Sequence, residues 1–148
     1  MRSSLKVAVL TLLVLSAVAC GEKRWSDDEK ANAVRFLATM PLAPDPDLDD
    51  VVFDGCRNQA LRPGCGGLDA RMGVDPDDLG ISGAFGAGYC DQVEAWIADW
   101  PEVDFDVDRV MVDDRSCYFP GSSNDFSVSV SAIRNSGSPI ISVRLYVE

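Results

Sequence analysis

The side chains that most often carry out catalysis are scarce in this sequence. It contains no histidine, which removes the commonest general base, the Ser-His and Cys-His dyads and the commonest zinc ligand. Lys23 and Lys30 are the only lysines beyond the first ten residues, so a serine–lysine arrangement has little to draw on. The glycines between positions 83 and 88 lack the dinucleotide-binding spacing. We therefore predict no cofactor.

Carboxylates are the chemistry that remains. The chain has 24 Asp and Glu residues, and a pair of them at the right separation can hydrolyse a glycoside. Nothing in the sequence selects one pair over another. A carboxylate-dependent hydrolase is thus kept as the alternative to a non-catalytic protein, and no residue is assigned a catalytic role.

One acidic run resembles the start of a calcium loop. It reads Asp104-x-Asp106-x-Asp108, but Arg109 replaces the turn glycine and Arg115 stands where the bidentate acid belongs. The acids alternate with apolar residues, which is typical of a strand with one wet face. We predict a strand here and no metal site.

The N-terminus has the three parts of a secretory signal. Arg2 and Lys6 precede an apolar run from Val7 to Leu15, and small residues follow at Ser16, Ala17 and Ala19. A run of this length is too short to cross a bilayer, which needs roughly 20 apolar residues. The protein is therefore predicted to be exported.

The segment Ala17-Val18-Ala19-Cys20 resembles the lipobox of bacterial lipoproteins. The resemblance covers the signal and that cysteine alone. It implies that residues 1–19 are a cleaved signal peptide, that Cys20 carries lipid such as palmitate, and that residues 20–25 are a tether. Gly21 in place of an acidic residue implies the outer face of the cell membrane, or the outer membrane of a two-membrane cell. Cleavage after Ala19 with release of a secreted protein is the alternative.

The cysteine count fits export. The chain has five cysteines, and assigning Cys20 to lipid leaves Cys56, Cys65, Cys90 and Cys117 for two disulfides in an oxidising compartment. We favour Cys56–Cys65 with Cys90–Cys117. Spacing alone leaves the other connectivities open.

The mature protein is strongly acidic. With Arg2 and Lys6 removed, 11 basic residues face 24 acidic ones, and the formal net charge changes from −11 to −13. Such a charge repels phosphate backbones and anionic headgroups, so nucleic acid is excluded as a partner. Residues 26–148 have the length of a single globular domain.

Two amphipathic helices are predicted. Ser26-Asp27-Asp28-Glu29 is a capping box, so the first helix runs from Asp27 to about Thr39 and Pro41 follows it. The second helix begins at about Asp91 and ends before Pro101. Its apolar stripe, at the spacing of a core-facing helix, is Val93, Trp96, Ile97 and Trp100.

Alternating residues predict strands in the last third of the chain. Residues 103–112 alternate with a break near Arg109, and residues 126–132 and 141–147 form a hairpin. Val51–Phe53 is a further short strand. The predicted fold is a two-layer α+β domain, with both helices on one face of an antiparallel sheet that includes the C-terminal hairpin.

Residues 54–89 have no clear periodicity and many turn signals. Loops fixed on a scaffold often bind partners. We therefore predict a non-catalytic binding module that contacts an envelope protein, a wall polymer or a small ligand. The contact residues proposed are Arg62, Arg71, Phe85 and Tyr89. A surface loop without a partner is the alternative, and the wet face of the hairpin around Ser129 and Arg144 is the next candidate surface.

Overall fold

The computed structural model describes residues 24–43, 45–55 and 67–147. These residues form two α-helices and an open antiparallel sheet of seven strands, so the predicted α+β class is confirmed. In chain order the elements are α1 (Asp27–Leu37), β1 (Val51–Asp54), β2 (Leu68–Val74), α2 (Ala87–Ala98), β3 (Asp104–Phe105), β4 (Met111–Val112), β5 (Ser116–Ser122), β6 (Ser127–Ile133) and β7 (Ile140–Val147). The predicted leader and Cys20 lie outside the described residues.

Helix α1 begins at the predicted capping box. The backbone N–H of Glu29 donates to the Ser26 hydroxyl (3.2 Å), and the Glu29 carboxylate accepts from the Ser26 N–H (2.8 Å). The helix ends at Leu37, two residues before the predicted Thr39. The Thr39 hydroxyl instead donates to the Phe36 carbonyl (2.7 Å), which closes the helix end.

Trp25, which was placed in the tether, is part of the folded domain. Its indole ring is buried and packs edge-on against Phe53 with 5.2 Å between ring centroids. Its N–H donates to the backbone carbonyls of Asp54 and Asp69, both at 3.1 Å.

Helix α2 begins earlier than predicted. Its first residue is Ala87 rather than Asp91, which lies inside the helix. The Gly86 carbonyl accepts the N–H groups of Tyr89 (3.0 Å) and Cys90 (3.2 Å), so the first turn closes there. Both of these side chains are buried, and their packing extends the helix toward its N-terminus.

The predicted tryptophan stripe of α2 is confirmed as core. Val93, Trp96, Ile97 and Trp100 are all buried. The Trp96 N–H donates to the Pro41 carbonyl (2.6 Å), and the Trp100 N–H donates to the Thr39 hydroxyl (2.9 Å). Buried indoles need such acceptors, and here the residues after α1 supply them.

The strand order in the sheet is β1-β2-β7-β6-β5-β3, and β4 pairs separately with β5. Strand β2 lies between β1 and β7, in a segment predicted to be loop. That expectation was wrong for residues 68–74. Strand β5, which pairs with β6 along its length, was also not predicted.

The predicted strand over residues 103–112 is two short strands. A single 3-10 turn, Val107–Arg109, separates β3 from β4, which agrees with the expected break near Arg109. Val107, predicted to face the core, is 72% exposed. The Asp106 carboxylate accepts the Asp108 N–H (3.2 Å), and this cap favours the turn over a continued strand.

Burial alternates along the three central strands, so the sheet has a buried inner face and an accessible outer face. Inner-face residues of β2, β5, β6 and β7 belong to one apolar core that also contains residues of both helices. Phe36 of α1 contacts Trp100 (5.5 Å between ring centroids) and Phe126 (5.0 Å).

Gly121 of β5 is predicted to tolerate no side chain. A Cβ added there would lie 2.8 Å from Val103 Cγ1 and 2.9 Å from the Asp104 carbonyl oxygen, and backbone cannot easily move away. We expect Gly121→Ala to destabilise the protein by about 1–3 kcal/mol through overpacking. Gly73→Ala is the matched control, because open space surrounds a Cβ at that position, and its effect should stay within about 1 kcal/mol.

Urea unfolding of the two glycine variants measures this difference. Equal midpoints for both variants, at equal slope, would show that β3 and β5 are not packed as closely at Gly121 as the geometry requires.

Candidate functional site

The outer face of the sheet brings together polar residues from three neighbouring strands. Arg71 of β2 lies opposite Arg144 of β7, and Arg144 lies opposite Ser129 of β6. Next to this row, Tyr146 of β7 lies between Asp69 of β2 and Ser127 of β6. These side chains form the outer-face site.

An ion-pair network fixes one side of the outer-face site. The Asp69 carboxylate accepts both Nε (2.7 Å) and Nη2 of Arg144, a bidentate pair, and lies 3.9 Å from Arg71 Nε. Arg71 Nη2 also contacts Asp54 at 2.5 Å. Two arginines directly opposite one another would repel, and the two carboxylates neutralise them.

The network also fixes the charge of Arg144. The hydrogen bond that the Arg144 guanidinium donates to Asp69 raises the pKa of the guanidinium. Partial burial lowers this pKa, and the negative charge of Asp69 raises it further. Both arginines remain about half exposed. The network therefore presents oriented cationic donors to solvent with no net local charge.

A groove of about 340 Å³ lies beside this network. Strand β6 supplies its floor through the small side chains of Ser127 and Ser129, and Tyr118 of β5 and Tyr146 of β7 flank it. Hydroxyl groups donate and accept hydrogen bonds, the guanidinium group donates them, and tyrosine rings add apolar contact area. Among the described residues its lining consists of hydroxyl, guanidinium and apolar groups, which are suited to forming contacts with a ligand.

The structure separates the predicted contact residues. Arg71 lies in the outer-face site. Phe85 is half-buried and stacks on Tyr89 with 5.3 Å between ring centroids. Tyr89 is 2% exposed in the first turn of α2, so its ring packs in the core rather than on the accessible surface. Arg62 lies outside the described residues.

Tyr89 has a buried hydroxyl without a hydrogen-bond partner among the described residues. Burial raises the pKa of this phenol, and the nearby charges of Asp75 and Asp77 raise it further. The phenol therefore stays protonated at any ordinary pH. This residue contributes apolar packing to the core.

Sequence reasoning named Ser129 and Arg144 as the next surface and missed Asp69, Tyr118 and Tyr146. The alternation in residues 141–147 already places Arg144 and Tyr146 on one wet face. Asp69 could be found only by recognising β2. Tyr118 could be found only by recognising β5.

One predicted disulfide is present. Cys90 and Cys117 are bonded with their Cα atoms 5.9 Å apart, and the bond joins the first turn of α2 to β5. Both residues are buried. Cys56 and Cys65 lie outside the described residues, and their pairing stays a prediction.

The acidic run near β3 is divided between two elements. Asp104 lies in β3, whereas Asp106 caps the following 3-10 turn. Over residues 24–43, 45–55 and 67–147, no three Asp, Glu or Cys side chains come together in a geometry suited to a metal ion. In the same part of the chain, neither helix has the length and apolar character needed to cross a bilayer.

Comparison of the chain with protein-family models, with curated proteins and with solved structures finds no match.

Proposed function

We propose that this protein is a lipoprotein of the bacterial cell envelope that binds its partner through the outer-face site and performs no catalysis. The lipobox-like segment at residues 17–20 supports this cellular location. Cys20 precedes the buried Trp25 by five residues, which span at most about 18 Å when fully extended. The Trp25 end of the domain is thus held close to the membrane, on its outer face.

The architecture proposed for this module has two layers. Helices α1 and α2 cover the inner face of the sheet, and β6 and β7 form a hairpin whose wet side belongs to the outer face. The Phe36–Phe126 contact and the Cys90–Cys117 bond support this arrangement, because each joins a helix to the sheet side of the core. The outer face is then left for a partner.

The groove between Tyr118 and Tyr146 is the observation that carries the binding proposal. Its polar groups are held in place by strands and by the Asp69–Arg144 pair, so little conformational entropy is lost when a partner binds. The surface matches a ligand rich in hydroxyl and carbonyl groups. An envelope protein or a wall polymer has this chemistry.

Blocking the groove tests the proposal. Ser129→Trp places an indole on its floor, and we expect cross-linking of partners on intact cells to fall at least about tenfold, the size of a hot-spot loss. Ser138→Trp is the matched control, because Ser138 is exposed in the connector between β6 and β7. Arg71→Ala should weaken cross-linking, and Phe85→Ala, outside the site, should not.

Melting temperatures of the four variants must stay within a few degrees of wild type for the comparison to hold. Equal cross-linking by Ser129→Trp and Ser138→Trp would place the contact surface elsewhere. In that case Phe85→Ala would show whether the segment before α2 makes the contact.

A further inference from the structure

We propose a second ligand site, for a small apolar organic cation, in the pocket between α2 and the chain from Val103 to Val110. The pocket has a volume of about 240 Å³. It lies apart from the outer-face site and shares no lining residue with the groove. The inference therefore does not depend on the proposed function.

The floor of this pocket is part of the fixed core. Ile97, Val103 and Phe119 line it, and all three are buried. Close packing holds such side chains in place, so the pocket exists before a ligand arrives. A dry cavity of about 150 Å³ accepts benzene. The larger volume here accommodates one aromatic ring with a short chain.

The walls expose apolar surface that a ligand would cover. Val107 lines the pocket and is 72% exposed in its 3-10 turn, and Phe105 and Val110 are partly buried beside it. A ligand in the pocket would remove part of this surface from water, which favours binding in proportion to the apolar area covered.

One charged residue lines the pocket and determines the sign of the ligand. Glu94 lies one helical turn before Ile97 and Ala98, on the same side of α2. Within the described part of the chain it has no ion-pair partner. Arg109 lines a neighbouring depression on the other side of Val107 and not this pocket.

The surroundings of Glu94 also bear on the preference for a cationic ligand. The formal net charge of −13 predicted for the mature protein gives its surface a negative potential overall. Glu94 is itself exposed, so its attraction for a cation is that of a surface ion pair, modest and weakened by salt. An amine attached to an apolar group satisfies both features of the pocket.

Methyl NMR of the purified protein in aqueous buffer tests this site with two probes of similar size and opposite charge, 2-phenylethylamine and phenylacetate. We expect the amine to shift the methyl signals of Ile97, Val103 and Val110. Half-saturation should need up to about fivefold less amine than phenylacetate, the upper end of the range for one exposed ion pair.

Two variants identify the group responsible. Glu94→Gln should abolish the preference for the amine, and Glu102→Gln, an exposed acid outside the pocket, should keep it. Both lie on the surface and leave the core unchanged. Shifts absent from these methyls, equal binding of both probes, or a preference that survives Glu94→Gln would overturn the proposal. Cross-linking at the outer-face site would be unaffected by any of these outcomes.

Discussion

Replacing Trp100 with Ala is expected to lower the free energy of unfolding by about 3–5 kcal/mol, the range for removing a buried aromatic ring. Trp100 is 1% exposed, contacts Phe36 and Phe105, and donates a hydrogen bond to Thr39. Its loss opens a cavity between α1, α2 and the sheet. Domains of this size have a stability of about 5–15 kcal/mol, so the variant should lose a large share of its stability.

Two further variants separate packing from hydrogen bonding at this position. Trp100→Phe retains an aromatic ring, so it should lower the free energy of unfolding by less than Trp100→Ala does. Leu48→Ala, at an exposed residue, should lower it by less than about 0.5 kcal/mol. Urea unfolding with the disulfide intact provides the comparison. A cost for Trp100→Ala no larger than that for Leu48→Ala would contradict the core described above.

Removing the Cys90–Cys117 bond is the second large expected effect. The bond closes a loop with a sequence separation of 27, and constraining such a loop in the unfolded chain contributes about 3.6 kcal/mol in the chain-entropy treatment. We expect the double variant Cys90→Ala/Cys117→Ala to be less stable by about 2–5 kcal/mol, since both sulfurs also fill space in the core.

Alkylation before and after reduction, carried out on urea-unfolded protein, checks that the bond exists in the isolated protein. Cys90 and Cys117 should be protected in unfolded, unreduced wild type, whereas burial alone would protect them in folded protein. Alkylation of either thiol without a reductant, or a double variant as stable as wild type, would count against the bond.

The sequence predicted best where one period was uninterrupted. Alternation over residues 126–132 and 141–147 identified β6 and β7, and the Trp96 and Trp100 spacing identified the buried side of α2. The capping box placed the start of α1. In each case the pattern reflects burial of one side of a single element, which is a local property.

The sequence predicted least where neighbouring strands define the element. In β2 the buried residues alternate with Asp69, Arg71 and Gly73, and a run with these residue types is easily taken for a loop. Pairing with β1 on one side and β7 on the other overrides their weak strand propensity. In β5 the presence of Pro120 and Gly121 hid the strand in the same way.

Correct prediction of the candidate site would have required β2 and β5. Arg71 was proposed as part of a loop, but it belongs to the outer-face site because β2 places it opposite Arg144. Tyr89 was proposed for the same loop, but an earlier start of α2 turns it into the core. The directions of these two side chains depend on β2 and on the first turn of α2, which alternation and turn signals did not reveal.

Lipid on Cys20 is the feature on which the proposed function depends most, and the mass and partition of the protein from membranes measure it directly. We expect a mature chain that begins at Cys20, carries the mass of a diacylglyceryl group with palmitate-type chains, and enters the detergent phase of Triton X-114. Cys20→Ser should remain unprocessed by the lipoprotein signal peptidase and leave that phase. An unmodified Cys20, or a partition unchanged by Cys20→Ser, would contradict a lipid anchor.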